Sequence, residues 1–176
     1  MISAKAGEAG LPFSIIGGYA VMAHGFVRAT DDLDLLARGG QREEWRRLFA
    51  EMGMTVYREA PTFLQFNPAP GAGLPVDIMF VADEVFARMH PDSVRNTVQG
   101  VPINVVSLNQ LIALKCHAIK SVKNRPENLR IIKDTDDLIH LVAANGLNLK
   151  SPELRAIILK HGDEELYEKL QRACAP

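Results

Sequence analysis

The chain has 176 residues, hydrophobic residues make up 47% of it, and its formal net charge is −1. These values are ordinary for a soluble globular protein that is long enough to bury one sizeable core. The near-neutral charge gives no general electrostatic reason to expect binding to nucleic acid or to an anionic membrane.

The amino-terminal part begins without the apolar segment of a secretory signal, and no later apolar run reaches membrane-spanning length. The sequence therefore predicts a cytoplasmic protein with no membrane partner. A short apolar strand is predicted over Leu11–Ile16, followed by a glycine pair and by a short helix that ends at Gly25. Alternation of polar and apolar residues predicts a second strand over Leu33–Ala37.

The middle of the chain continues this mixture of helix and strand. An amphipathic helix is predicted over Gln41–Gly53, and candidate strands follow in the segments "TVYRE" and "TFLQFN". Leu74–Val81 is predicted to be a central strand, because it is strongly apolar apart from Asp77. Asn96–Ser107 is predicted to form a hairpin that turns at Gly100.

The last part of the sequence is predicted to be helical. Ser107 and Gln110 have capping-box spacing at the start of a helix over Leu108–Lys123. A second helix is predicted over Glu127–Ala144, a third starts at Ser151, and a short final helix follows.

Two regions follow from this pattern: an α+β region over residues 1–106 and a helical region over residues 107–176. The two cysteines, Cys116 and Cys174, are far apart and lack metal-ligand spacing, so we expect free thiols.

Three aspartates stand where a strand would normally be apolar. Asp32 and Asp34 point to the same face of the second strand, since alternate residues share a face. Their mutual repulsion is relieved by a divalent cation such as Mg²⁺, which prefers carboxylate oxygens. Asp77 joins them if its strand lies beside Leu33–Ala37. The alternative is that the first two are ordinary residues at a loop edge, because a D-x-D sequence is common.

The glycine pair between the first strand and the first helix is a candidate phosphate-binding turn. Glycine allows close approach of a ligand to the backbone, and a helix start offers free N–H groups. Taken alone, Gly17 and Gly18 favour the alternative of a tight turn that binds no ligand.

Together these residues resemble the nucleotidyltransferase superfamily related to DNA polymerase β, and within it the abortive-infection type of toxin-like enzymes. The pattern G-G…R-x-T-x-D-h-D-h is matched by Gly17, Gly18, Arg28, Thr30, Asp32 and Asp34. The resemblance implies a mixed β-sheet core with flanking helices, and a helical region that completes the active-site cleft.

The resemblance also implies roles for these residues. Asp32, Asp34 and Asp77 would hold two Mg²⁺ ions, and the glycine pair would contact the phosphates of a nucleoside triphosphate. Arg28 and Thr30 would assist at the triphosphate, since the planar guanidinium of arginine suits phosphate.

Two features of the helical region add to this interpretation. Lys115 lies within an apolar helix face, where it needs an anion, although a snorkelling lysine or an internal salt bridge explains it equally well. The family carries a lysine that faces the nucleotide in helices of this kind. It also has a D-x-x-D motif, matched here by Asp134 and Asp137. Asp134 is expected to contact the substrate or to act as a base, and Asp137 to be solvated or to pair with a nearby cation.

Three functions are compatible with the sequence. The first is an enzyme that transfers a nucleotide to RNA or protein, usually beside a cognate antitoxin. The second is nucleotidyl transfer to a small molecule such as an aminoglycoside or lincosamide. The third is a non-catalytic binding or antitoxin-like module. The excess of lysine and arginine between Lys115 and Lys133 mildly favours RNA, whereas the near-neutral net charge mildly favours a small acceptor.

Overall fold

A computed structural model describes residues 1–98, 101–124 and 129–174. It confirms the α+β class and contains a mixed β-sheet of seven strands within these residues. The strands are β1 (Phe13–Ile15), β2 (Leu33–Arg38), β3 (Thr55–Ala60), β4 (Phe63–Asn67), β5 (Val76–Val81), β6 (Val94–Val98) and β7 (Val101–Val105).

The strands lie in the order β3-β4-β5-β2-β1-β7-β6. The central pair, β2 and β5, is parallel, and β1 runs antiparallel to β2 on its other side. β6 and β7 pair as the predicted antiparallel hairpin. The predicted turn at Gly100 lies outside the described residues.

The helices within the described residues are α1 (Ile2–Glu8), α2 (Gly17–Ala23), α3 (Arg42–Glu51), α4 (Asp83–Met89), α5 (Leu108–Ser121), α6 (Leu129–Ala144), α7 (Pro152–His161) and α8 (Glu164–Ala173). α1 and α4 were not predicted, because each spans only seven residues and shows little hydrophobic periodicity. The predicted start of α6 at Glu127 falls outside the described residues. None of the described helices is long and apolar enough to span a membrane.

The described residues form two compact units. The sheet unit comprises residues 1–20 and 28–106, and the helical unit comprises residues 21–27 and the residues from 107 onward. Helix α2 therefore contributes its first residues to the sheet unit and its last residues to the helical unit.

A hydrophobic core of the sheet unit packs between α3 and one face of the sheet. Phe49 of α3 is fully buried, and its ring lies 5.8 Å from that of Trp45 and 4.7 Å from that of Phe66. Along β5, alternate residues are buried and partly exposed, so Ile78 faces the core and Asp77 faces the opposite side. The hydrophobic pattern of β5 thus positions its aspartate on the half-open face.

The helical unit has a separate hydrophobic core between α5, α6, α7 and α8. Ser151 and Asp163 begin α7 and α8 by accepting hydrogen bonds from backbone N–H groups, which satisfies donors that helix starts leave unpaired. Both cysteines are free, as expected. Burial raises the pKa of Cys116 to about 12, so its thiol stays protonated at neutral pH.

Replacing Phe49 tests the sheet-unit core. Phe49→Ala should lower the free energy of unfolding by about 3–5 kcal/mol, because it removes a fully buried ring and leaves a cavity. Chemical denaturation measures this loss. Glu51→Ala, at an exposed position of the same helix, should change stability by less than about 0.5 kcal/mol. Equal effects of the two substitutions would contradict the packing described here.

Candidate functional site

The structure brings the three predicted aspartates together on the half-open face of the sheet. Asp34 on β2 lies directly opposite Asp77 on β5 in the parallel ladder, and Asp32 is placed just before β2. One carboxylate oxygen from each of the three lies within 4.8 Å of the others. All three side chains are partly exposed. We name these residues the acidic cluster.

Two neighbouring side chains donate hydrogen bonds to the acidic cluster. Thr30 Oγ1 donates to Asp32 Oδ1 over 3.0 Å. The side-chain amide of Gln65 donates to Asp77 Oδ2, from a position on β4 directly opposite Asp77. Gln65 is a site residue that the sequence did not reveal. Its only signal was a polar residue between the apolar Leu64 and Phe66 of a strand.

Tyr57 is a second residue near the acidic cluster that sequence reasoning missed. The register between β3 and β4 shifts between Val56 and Arg58, so Tyr57 is the extra residue of a β-bulge. Its side chain is half exposed. Partial burial raises the pKa of the Tyr57 phenol, and the charges of Asp77 and then Asp32 raise that pKa further. The phenol therefore lies within electrostatic range of the carboxylates.

The glycine pair allows side chains of the site to approach the backbone. Gly17 has φ +61°, and a Cβ atom there would lie 1.7 Å from Asp34 Oδ2. A Cβ atom on Gly18 would lie 2.4 Å from Thr30 Oγ1 and 3.2 Å from Arg28 Nη1. These contacts give a steric reason for both glycines without any ligand. The contact of the glycine pair with phosphates stays a prediction.

The donor set of the acidic cluster fits a hard divalent cation. It consists of carboxylate oxygens alone, which suit Mg²⁺, Ca²⁺ or Mn²⁺ better than zinc or copper. The separations within 4.8 Å are short enough for shared ligation of one ion or of two neighbouring ions. A bound cation would also relieve the repulsion between the three carboxylates.

Lys115 belongs to the helical unit, where two buried carboxylates of α6 meet it. Its Nζ lies 2.6 Å from Asp134 Oδ1 and 2.6 Å from Asp137 Oδ2. The three side chains are 9%, 6% and 0% exposed, respectively. The internal salt bridge that the sequence left open is therefore present. A contact of Lys115 with the nucleotide, and a role for Asp134 at the substrate, stay predictions.

The expectation that Asp137 is a solvated helix residue is wrong, whereas its alternative, a partner for a nearby cation, is confirmed. Asp134 and Asp137 are three residues apart and so share a helix face, and this face packs toward Lys115 of α5.

Other cations of the basic segment also face carboxylates of their own unit. Lys123 Nζ lies 2.7 Å from Asp163 and 2.8 Å from Glu165, and Arg130 Nε lies 3.5 Å from Asp134. Arg125 lies outside the described residues. Because these charges are balanced locally, the segment is less electropositive than its composition suggests, which weakens the case for an RNA-binding rim.

The crowding at Gly17 predicts a stability difference between two glycine substitutions. Gly17→Ala and Gly53→Ala both force alanine into left-handed backbone, with φ +61° and φ +76°. Only the first meets another side chain, since a Cβ at Gly53 has no atom within 4 Å. Denaturation should show that Gly17→Ala lowers the free energy of unfolding by at least about 1 kcal/mol more than Gly53→Ala. Equal losses would rule out the steric explanation.

Removing the cation from the Lys115 cluster should destabilise the helical unit. Lys115→Met removes the ammonium group that contacts both buried carboxylates, and it should cost about 3–5 kcal/mol at neutral pH. Lys133→Met, at an exposed position, is the control.

A triple variant sharpens this test. Lys115→Met combined with Asp134→Asn and Asp137→Asn should recover most of the stability, because no buried charge remains. If Lys115→Met is as stable as the wild type, the ion pairs of Lys115 contribute nothing to the stability of the fold.

No protein-family model matches the chain, and no curated protein sequence is significantly similar to it. Solved structures are similar to it. The solution structure of the antibiotic-resistance factor ANT(2'')-Ia matches with a TM-score of 0.64 and 21% identity, over 97% of this chain and 91% of that one.

Two further structures show the same likeness. The lincomycin-bound lincosamide antibiotic adenylyltransferase LnuA matches with a TM-score of 0.51 and 12% identity, over 63% of this chain and 79% of that one. An antigenic nucleotidyltransferase-like protein from Paracoccidioides brasiliensis matches with a TM-score of 0.52 and 16% identity, over 98% and 89%. The architecture of this chain is accordingly a nucleotidyltransferase-like fold.

Proposed function

We propose that this protein is a Mg²⁺-dependent nucleotidyltransferase, which moves a nucleoside monophosphate from a nucleoside triphosphate to a hydroxyl acceptor. The observation that carries the proposal is the convergence of Asp32, Asp34 and Asp77 within 4.8 Å on the half-open face of the sheet. The likeness of the fold to those of a lincosamide antibiotic adenylyltransferase and of a nucleotidyltransferase-like protein supports it.

The acidic cluster would hold the metal. Bound Mg²⁺ would supply charge neutralisation at the transferring phosphate and activation of the attacking hydroxyl. The carboxylates contribute oxygen ligands that lie close together. Thr30 and Gln65 contribute by fixing the rotation of Asp32 and Asp77 through hydrogen bonds.

The glycine pair and Arg28 would bind the triphosphate. Glycine lets a phosphate approach the backbone closely. The Arg28 guanidinium lies beside Gly18, because a Cβ atom on Gly18 would lie 3.2 Å from Arg28 Nη1. The guanidinium offers a planar set of donors that suits phosphate oxygens. Placement of the phosphates here would leave the β5 and β4 side of the acidic cluster for the acceptor hydroxyl.

A contact of Lys115 with the leaving phosphates would require the loss of an existing ion pair. The ammonium group would have to give up at least one of its 2.6 Å contacts with Asp134 and Asp137. A role of Asp134 as a base would likewise require it to leave Lys115. Lys115, Asp134 and Asp137 are therefore proposed to act first by holding α5 and α6 together.

The acceptor has two candidate classes. Transfer to RNA or protein by a toxin-like enzyme with a cognate antitoxin rests on the motif around Gly17 and Asp34. A small hydroxyl compound is the second candidate, because ANT(2'')-Ia and LnuA are named as an antibiotic-resistance factor and an antibiotic adenylyltransferase. Labelled nucleotide transfer to RNA, to protein, to tobramycin and to lincomycin would distinguish them.

Removing two carboxylates tests the nucleotide site. Calorimetric titration of ATP, GTP, CTP and UTP should show binding that requires Mg²⁺. Asp32→Asn combined with Asp34→Asn should weaken that binding by about tenfold or more, because two metal ligands are lost. Asp31→Asn removes a neighbouring exposed carboxylate and should leave binding unchanged.

The same titration separates an enzyme from a non-catalytic module. Triphosphate binding that persists in the double variant, or that does not depend on Mg²⁺, would contradict the proposed metal site. Absence of any triphosphate binding by the wild type would favour a binding or antitoxin-like module instead.

A further inference from the structure

Gln65 completes a row of polar side chains across three adjacent strands. Asp34 on β2 lies opposite Asp77 on β5, and Asp77 lies opposite Gln65 on β4. Directly paired residues point to the same face of a sheet, so all three side chains emerge on the half-open face. The residues beside Gln65 along β4, Leu64 and Phe66, are buried on the opposite face and fix this orientation.

The hydrogen bond between Gln65 and Asp77 is directional. The amide N–H of Gln65 donates to Asp77 Oδ2, so it restricts rotation of that carboxylate. Both residues are only partly exposed, so water competes less for this hydrogen bond than it would at the surface. A carboxylate that is already fixed loses little freedom when a cation binds.

The residue type suits this task. Glutamine is neutral and reaches one methylene further than asparagine, so it donates across the strand pair without adding a fourth negative charge. Glutamate would offer no donor and would repel Asp77, and leucine would fill similar volume without any hydrogen bond.

We propose that Gln65 is a positioning residue, which holds the Asp77 carboxylate in the orientation that joins Asp32 and Asp34 around a divalent cation. The proposal rests on the nucleotidyltransferase function proposed above. It assigns to Gln65 an effect on metal affinity that acts only through Asp77.

The test measures Mn²⁺ binding to the full chain by electron paramagnetic resonance, which needs no acceptor. Gln65→Leu should raise the dissociation constant for Mn²⁺ about tenfold or more, as expected when a hydrogen-bond partner of a metal ligand is lost. Asn67→Leu is the matched control, because it replaces an exposed amide on the same face of β4. It should leave the dissociation constant unchanged.

A double-mutant cycle separates positioning from a structural role. In an Asp77→Ala background, Gln65→Leu should have no further effect on Mn²⁺ affinity, because the residue through which Gln65 acts is missing. The midpoint of denaturation should be similar for Gln65→Leu and Asn67→Leu.

The outcomes distinguish this proposal from the function on which it rests. Wild-type protein that binds Mn²⁺, together with unchanged affinity in Gln65→Leu, would overturn the positioning role alone. An equal loss of affinity with and without Asp77 would also overturn it, since Gln65 would then act by another route. Wild-type protein that binds no Mn²⁺ would overturn the metal-dependent function and the positioning role together.

Discussion

The parallel pairing of β2 with β5 is the constraint on which the candidate site depends. Neighbouring strands lie about 4.8 Å apart, so residues directly opposite each other cannot avoid contact. Leu35 and Ile78 are fully buried opposite each other on the core face, and this register places Asp34 opposite Asp77 on the other face. Burial of apolar surface therefore forces two carboxylates together, and partial exposure leaves water or a cation free to compensate their repulsion.

The residues around the acidic cluster follow from the same crowding. Asp34 extends into the space that a side chain at Gly17 would fill, and Thr30 extends into the space beside Gly18. The glycine pair is thus explained by the carboxylate and the hydroxyl that it accommodates, before any phosphate is considered. A turn that carries no side chains is also one whose backbone a ligand can approach closely.

The sequence predicted those parts of the site that depend on periodicity within one element. Alternation placed Asp32, Asp34 and Asp77 on the polar side of their strands, and helical spacing placed Lys115 on a packing face. Contacts between elements could not be predicted in this way. Gln65 and Tyr57 depend on strand register and on a bulge, which no periodic pattern of one strand specifies. The burial of Asp137 depends on where α5 lies, because Lys115 of α5 is the cation that meets it.

The buried ions of the helical unit require a different explanation from that of the acidic cluster. One ammonium faces two carboxylates, and apolar residues of similar volume would stabilise the contact between α5 and α6 at least as well. The ion pairs add specificity for one register of the two helices, because Lys115 reaches Asp134 and Asp137 together only in that register. α6 also holds residues 21–27: the ring of Phe26 stacks on His140 with centroids 3.9 Å apart, and the Asn145 amide donates to His24 O over 2.9 Å. Fixing the register of α6 therefore fixes the position of this segment within the helical unit, a geometric effect that an apolar contact of equal area would not enforce.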